Sequence, residues 1–415
     1  MSRPLRFLLL TTFYPPYSFG GDAICVSRLA HALADEGHQI DVIHCVDSYR
    51  LLDPAGLGGA IEVRENLRVH SLHSERGFLS PLLSHQTGLP FLKLARIQQV
   101  LHISQPDVIH YHNISLFGPG ILRLGSEGVE ALKLYTAHEY WLICPTHVLW
   151  KFNRRACEKP QCLRCTVIAG RPPQLWRYTE MRDRCASEVD VFLSPSRFAA
   201  ELHLQRGFAR PMTYLPPFVD TVEAETPSPR PHPRPYFLFV GRLEAFKGVR
   251  SLVEAWSKTS EGDLLIAGDG SDVAQLKNLA AGNPRITFLG LTTQQALGPL
   301  YANCIACIVP SLMYEVFTTV VLEAFARKAP VIARDHGPLA EIINESRGGL
   351  LYRSEEELLA SVERLARNFC LRTELGENGF KIVTNRWSKE AHLKAYFELI
   401  RETSLRKFGR LPWEE

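Results

Sequence analysis

The chain has 415 residues, of which 46% are hydrophobic and 22% charged, and its net charge is only +3 at neutral pH. That length exceeds what one core usually holds and predicts two domains of roughly 200 residues each. The near-neutral balance argues against a nucleic-acid binder driven by bulk charge. No apolar run approaches the eighteen or so residues of a membrane helix.

The opening string "MSRPLRFLLLTTFYPP" is too short for a secretory leader and has no small-residue cleavage site, so it reads as a first strand. Ten cysteines without a leader point to a reducing compartment, which places the chain in the cytoplasm as an expectation.

Strand-like runs then alternate with helix-like periods, the pattern of parallel sheets covered by helices on both faces, so the fold class is α/β with two doubly wound domains. In the first half the expected strands are Leu5–Thr11, Gln39–Cys45, Asp107–Tyr111, Leu132–Thr136 and Val189–Ser194. Between the first two, Ala23, Val26, Leu29, Ala30, Leu33 and Ala34 keep helical spacing, and Gly37 closes the helix. A proline at every second position from Pro227 to Pro235 suits neither helix nor central strand and marks a linker, 221–235. Beyond it come strand Tyr236–Val240, helix Val249–Lys258, strand Leu264–Ala267, helix Val273–Ala281, strands Ile286–Leu289 and Ile305–Val309, a helix from Thr318 to Arg327, and strand Val331–Arg334. A long helix closes the chain after Trp387.

Within "YEVFTTVVLEAFARKAPVIAR", Glu315 and Glu323 are eight residues apart. On one continuous helix they would differ by about 80° in azimuth, so a loop-to-helix break must separate them. Glu315 then lies on the loop leaving a strand and Glu323 on the helix, whose first amides, with Thr318 or Thr319 as cap, make an anion seat. An ordinary strand–loop–helix with two solvated glutamates fits the spacing equally well. In "FVGRLEAFKGVRSLVEA", Arg242 and Lys247 occupy a strand-to-helix turn flanked by Gly241 and Gly248. Cations at a helix start, where acids are the rule, invite a phosphate; a solvated loop is the alternative. Gly20 and Gly21 join the first strand to the first helix, either for close backbone approach to a ligand or because the loop needs positive φ. His138 follows another strand end, where ligands of open α/β sheets gather.

Cys144, Cys157, Cys162 and Cys165 fall within twenty-two residues, a set able to complete a tetrahedral zinc site or, by its C-x4-C-x2-C part, an iron centre; thiols without metal are the other reading. Cys304 and Cys307 read as packing residues. The interleaved "RPPQLWRYTEMRDRC" and the apolar "GFLSPLLSHQTGLPFLKLARIQQVL" can each touch a membrane surface peripherally or form ordinary helix faces.

Taken in order, Gly20-Gly21 ahead of "LAHALADEGHQIDV", "QPDVIHYHN", "TAHE", "VGRLEAFKG", "IAGDGSD", the E-x7-E pair and "GPLAE" resemble the retaining, nucleotide-sugar-dependent glycosyltransferases of family 4. The resemblance spans nearly the whole chain. It implies a GT-B architecture: a Rossmann-like acceptor-binding domain over 1–220, with a cysteine-rich insertion at about 141–170, a second Rossmann-like donor domain over 236–386, an inter-domain cleft, and a closing helix, 387–415, that packs back on the first domain. It further implies that Arg242 and Lys247 hold the diphosphate of a UDP- or GDP-sugar and that Gly20 and Gly21 complete its cradle. Phe317, Thr318 and Thr319 then lie against the donor, Glu323 binds ribose hydroxyls, Glu315 contacts the donor sugar, and His138 lines the reaction centre. No metal is required for catalysis in such enzymes, and the acceptor is a glycan, a lipid-linked sugar or a small molecule. Two positions depart from the pattern: Thr318 and Lys328 stand where glycine is common.

Three rival functions follow from the same strings. A binding or scaffold protein could keep the fold without turnover, which retention of both glutamates, Arg242, Lys247 and His138 opposes. An NAD-dependent oxidoreductase would need the full glycine fingerprint and a ribose acid after the second strand. A sugar phosphorylase would need a pyridoxal lysine, and none is identifiable.

Overall fold

A computed structural model describes residues 3–53, 59, 64–125, 129–220 and 231–411. The chain forms two compact units, the first of Met1–His147, Cys162–Pro216 and Leu393–Glu415, the second of Val148–Gln161 and Pro217–His392.

The first unit is built on strands β1 (Arg6–Leu10), β2 (Gln39–Cys45), β3 (Leu67–Leu72), β4 (Val108–Tyr111) and β5 (Leu132–Thr136). A short antiparallel hairpin, β6 (Trp150–Lys151) and β7 (Arg155–Ala156), comes next in the chain but belongs to the second unit. Strands β8 (Val191–Ser194) and β9 (Met212–Tyr214) complete a parallel sheet of order β3-β2-β1-β4-β5-β8-β9. The winding direction reverses between β1 and β4, and at such a switch point the loops leaving the carboxyl ends diverge and leave room for a ligand. Helix Gly21–Asp35 crosses from β1 to β2 and buries Ala23, Val26, Leu29, Ala30 and Leu33, the stripe its spacing calls for. The chain-terminal helix Lys389–Phe408 adds Tyr396, whose ring stacks on Phe7 at 6.2 Å and whose hydroxyl lies 2.9 Å from His110 Nδ1.

The second unit repeats the scheme with β10 (Tyr236–Val240), β11 (Asp263–Ala267), β12 (Ile286–Gly290), β13 (Cys307–Val309), β14 (Val331–Arg334) and β15 (Gly349–Tyr352), in the order β12-β11-β10-β13-β14-β15. Its strands read as unbroken apolar runs because both faces are covered. Leu238, Leu265, Val331 and Ala333 enter one core, while Phe237, Phe239, Leu264, Ile266 and Ile332 enter the other. The switch here lies between β10 and β13, which pair at Leu238 and Cys307.

Central strands match their sequence-derived positions to within two residues, whereas β3, β9 and β15 have no such counterpart. All three are partly buried sheet edges; β3 and β9 interleave polar residues, and β15 is only four residues long. The helix expected over 318–327 is shorter, Thr319–Phe325. It ends where Lys328 takes the left-handed conformation, φ +58°. Residues 221–230 of the expected linker lie outside the described residues, and 231–235 form neither helix nor strand.

Candidate active site

In the second unit the loops leaving adjacent strands β10 and β13 are tied together. Leu312 and Met313 donate their backbone N–H groups to the Phe246 carbonyl at 2.8 and 3.3 Å. Lys247, in the turn Ala245–Lys247, donates to Glu315 Oε1 at 2.6 Å, and the Ser311 hydroxyl donates to the same oxygen at 2.6 Å. Both charges are largely withdrawn from solvent, with side-chain exposures of 20% for Lys247 and 9% for Glu315, so each would be costly without the other. Gly248 makes the approach possible. Its φ is +72°, and a Cβ there would stand 2.1 Å from the Pro310 carbonyl oxygen. Arg242 sits exposed at the end of β10, 2.9 Å from Glu244 and 5.5 Å over the Phe246 ring. Two cations thus stand at the strand ends, each beside a carboxylate that can share it with an incoming phosphate.

Glu315 lies on the loop and Glu323 within helix Thr319–Phe325, the separation expected from their spacing. Glu323 Oε2 accepts from the Tyr301 hydroxyl at 3.2 Å. Phe317 packs its ring edge-on to Trp387 at 6.0 Å, which holds the loop against the core. Thr318 occupies the cap position without making a side-chain cap bond, contrary to the expectation, and its buried hydroxyl has no hydrogen-bond partner among the described residues. Thr319 opens the helix, half-buried.

In the first unit Gly20 is extended (φ −174°), and a Cβ there would meet nothing closer than 3.4 Å. Neither Gly20 nor Gly21 has positive φ, so the backbone reason offered for this pair does not hold. Asp22, in the first turn, accepts from Asn113 Nδ2 at 2.9 Å. His138, just past β5, lies with Nε2 2.9 Å from His112 Nδ1, the rings stacked at 5.2 Å. The His112 ring in turn sits 4.0 Å from His110, whose Nε2 is 2.8 Å from the Thr136 hydroxyl. Burial pushes the His138 imidazole well below its ordinary value, against the opposing pull of Asp22, so the ring is neutral at physiological pH. Glu139, its neighbour, is 2.7 Å from His147 Nδ1.

Sequence reasoning passed over His110 and His112, although two histidines two residues apart at a strand end share one face. It also passed over Ser311, Glu244 and Tyr301, which carry no motif of their own.

The cysteine reading needs correction. Among the described residues no group of three or more His, Cys, Asp or Glu side chains is placed to hold a metal ion, so Cys144, Cys157, Cys162 and Cys165 do not assemble into a tetrad. Cys162 and Cys165 lie on helix Cys162–Ile168, Cys144 faces the Thr146 hydroxyl at 3.3 Å, and Cys157 belongs to the second unit. An arginine organises this region instead: the Arg177 guanidinium lies 5.0 Å over Trp141 and 4.6 Å over Trp176. Cys304 and Cys307 are buried, as expected of packing residues.

Two doubly wound parallel-sheet α/β domains define a GT-B-type protein, and comparison with known proteins agrees. Residues 19–223 match the family described as Glycosyltransferase Family 4, and 234–368 match Glycosyl transferases group 1. An uncharacterized glycosyltransferase of Methanocaldococcus jannaschii is 33% identical over 92% of this chain and 95% of its own length. A GDP-mannose-dependent alpha-mannosyltransferase of Mycolicibacterium smegmatis is 26% identical, covering 79% of each chain. The solved sucrose-phosphate synthase of Thermosynechococcus elongatus superposes with a TM-score of 0.74 at 20% identity, over 97% of this chain and all of that one. The fold is therefore GT-B, and the chain belongs to glycosyltransferase family 4.

Proposed function

We propose that the enzyme moves a hexose-type sugar from a UDP- or GDP-sugar to a glycan, lipid-linked or small-molecule acceptor, with retention at the anomeric carbon. The observation that carries this reading is the shielded Lys247–Glu315 pair beside Arg242 at the carboxyl ends of β10 and β13. As the bond from the sugar C1 to the diphosphate oxygen breaks, negative charge grows on that oxygen. Lys247 and Arg242 stabilise it, an effect worth on the order of 10²–10³ in rate for one such group. The acceptor hydroxyl oxygen bonds to C1 on the face the phosphate leaves, and its proton passes to the departing phosphate.

Glu315, fixed by Lys247 and Ser311 through Oε1, contacts the donor sugar. Glu323, oriented by Tyr301, takes the ribose hydroxyls, and the unpartnered Thr318 hydroxyl meets the donor. In the first unit His138, whose Nε2 is engaged with His112, offers Nδ1 to a polar group of a substrate, and Gly20-Gly21 lets backbone amides approach an anion. The mannosyltransferase relative's GDP-mannose dependence supports a guanine donor.

A donor panel scored by release of UDP or GDP tests the proposal. Turnover of one nucleotide sugar, abolished in Glu323→Ala, is expected; no release from any donor and no calorimetric binding of UDP or GDP would overturn it.

A further inference from the structure

The hairpin β6–β7 falls in the middle of the first unit's stretch of sequence but folds with the second: the chain enters that unit at Val148 and returns at Cys162. Two paired strands alone are marginal in water, so what they pack on decides whether they form. Trp150 pairs with Ala156 and Lys151 with Arg155, Cys157 donates its backbone N–H to the Leu149 carbonyl at 2.7 Å, and the Lys151 ammonium donates to the Lys159 carbonyl at 2.8 Å. The hairpin turn has Phe152 at φ +57° and Asn153 at φ +55°, the two left-handed residues of a type I′ turn, although only asparagine takes that conformation readily. With His147 at φ +73° and Leu149 at φ +50°, four non-glycine residues within 147–153 hold positive φ. Such a backbone persists only where surrounding contacts over-determine it.

One of those contacts is aromatic and leads to the candidate site. Trp150, only 6% exposed, meets the Phe246 ring edge-on with centroids 6.5 Å apart. Phe246 is the middle residue of the turn Ala245–Lys247. Its carbonyl takes the Leu312 and Met313 amides, its ring lies under the Arg242 guanidinium, and its neighbour Lys247 reaches Glu315. Trp150 therefore stands one contact away from every tie that joins the loops of β10 and β13. Its indole N–H is buried and has no hydrogen-bond partner among the described residues, so within this unit the tryptophan acts through its ring.

We propose that Trp150 is a positioning residue for the turn Ala245–Lys247: it holds Phe246, and through Phe246 it fixes Lys247 and Arg242 where a nucleoside diphosphate meets them. The cysteine-rich stretch thus serves the second unit's site by its tryptophan, with no metal involved in the argument. The nucleotide half of the inference rests on the proposed donor reading of Lys247 and Arg242. The positioning half rests on the packing alone.

Hydrogen exchange and calorimetry on the full chain test the two halves separately. Trp150→Leu, which keeps an apolar side chain against the turn, is expected to speed exchange of the Leu312 and Met313 amides about tenfold while β14 and β15 exchange as in wild type, and to weaken binding of UDP or GDP about tenfold. Trp150→Phe keeps a ring and is expected to restore both to within about twofold of wild type. Phe246→Leu should lose at least as much as Trp150→Leu, and the double variant no more than Phe246→Leu alone, because one contact is removed from its two sides. Three results would overturn the inference. These are wild-type exchange of Leu312 and Met313 in Trp150→Leu, additive losses in the double variant, or Trp150→Phe binding nucleotide as weakly as Trp150→Leu with its exchange intact, which would make the indole N–H a direct ligand. Wild-type protein that binds neither UDP nor GDP would defeat the donor reading, and the exchange rates would still decide the positioning role.

Discussion

Lys247 Nζ lies 2.6 Å from Glu315 Oε1, joining residues 68 apart in the chain through the loops of two neighbouring strands. The pair is a structural clasp and, in the proposed function, also the charge centre of the donor site, and the two roles separate experimentally. Lys247→Ala strands a buried carboxylate and should cost about 3 kcal/mol in stability. Lys247→Met/Glu315→Gln removes both charges and should recover most of that loss, yet remain at least about 100-fold down in donor turnover. Urea denaturation and nucleotide release check the two halves, and a double variant with wild-type turnover would sink the assignment.

Gly248→Ala should damage the same clasp from outside. The added methyl would press on the Pro310 carbonyl at 2.1 Å in a left-handed backbone position, so the loop must move and carry Lys247 with it. A loss of about 2 kcal/mol or more in stability is expected, with donor KM raised, against about 1 kcal/mol for Gly170→Ala, which shares the left-handed backbone at φ +67° but where a Cβ meets open space.

Lys328 follows helix Thr319–Phe325 in the left-handed conformation, φ +58°, a backbone position that favours glycine. Its Nζ offsets part of the strain, lying 2.7 Å from Glu377 and 4.9 Å over the Phe380 ring. Lys328→Gly is expected to be neutral or stabilising by up to about 1 kcal/mol, and Lys328→Val to destabilise by about 1–2 kcal/mol. Thermal melts give the order directly; valine tolerated better than glycine would contradict the backbone argument.

Two fully buried histidines set an acid limit. Burial lowers His44, in β2, and His203, in helix Arg197–Gln205, each to about 4 from an ordinary value near 6.5. Between those values the unfolded chain holds more protons, so stability rises with pH up to about 6.5 and is lost as pH falls toward 4. Near pH 5 unfolding should take up about two protons from this pair. A urea midpoint that does not drop between pH 7 and pH 5 would refute the assignment.

The sequence by itself determined the class of fold and named most of the candidate residues. Alternating periods located the central strands because both their faces are covered. Arg242, Lys247 and Glu315 in the second unit and His138 in the first stand out as candidates because each follows a strand end in an open α/β pattern, and Glu323 by its spacing from Glu315. Tertiary structure decided the rest. Which strands lie side by side is set by crossovers and not by local pattern, so only the adjacency of β10 and β13 shows that Lys247 meets Glu315. Only the packing of β4 beside β5, in turn, brings His112 to His138. Of the four edge strands of the two parallel sheets only β12 stood out in the sequence, and β3, β9 and β15 did not. The cysteine cluster was a proximity in sequence alone, since thiolates hold a metal only when their side chains converge, and here they do not.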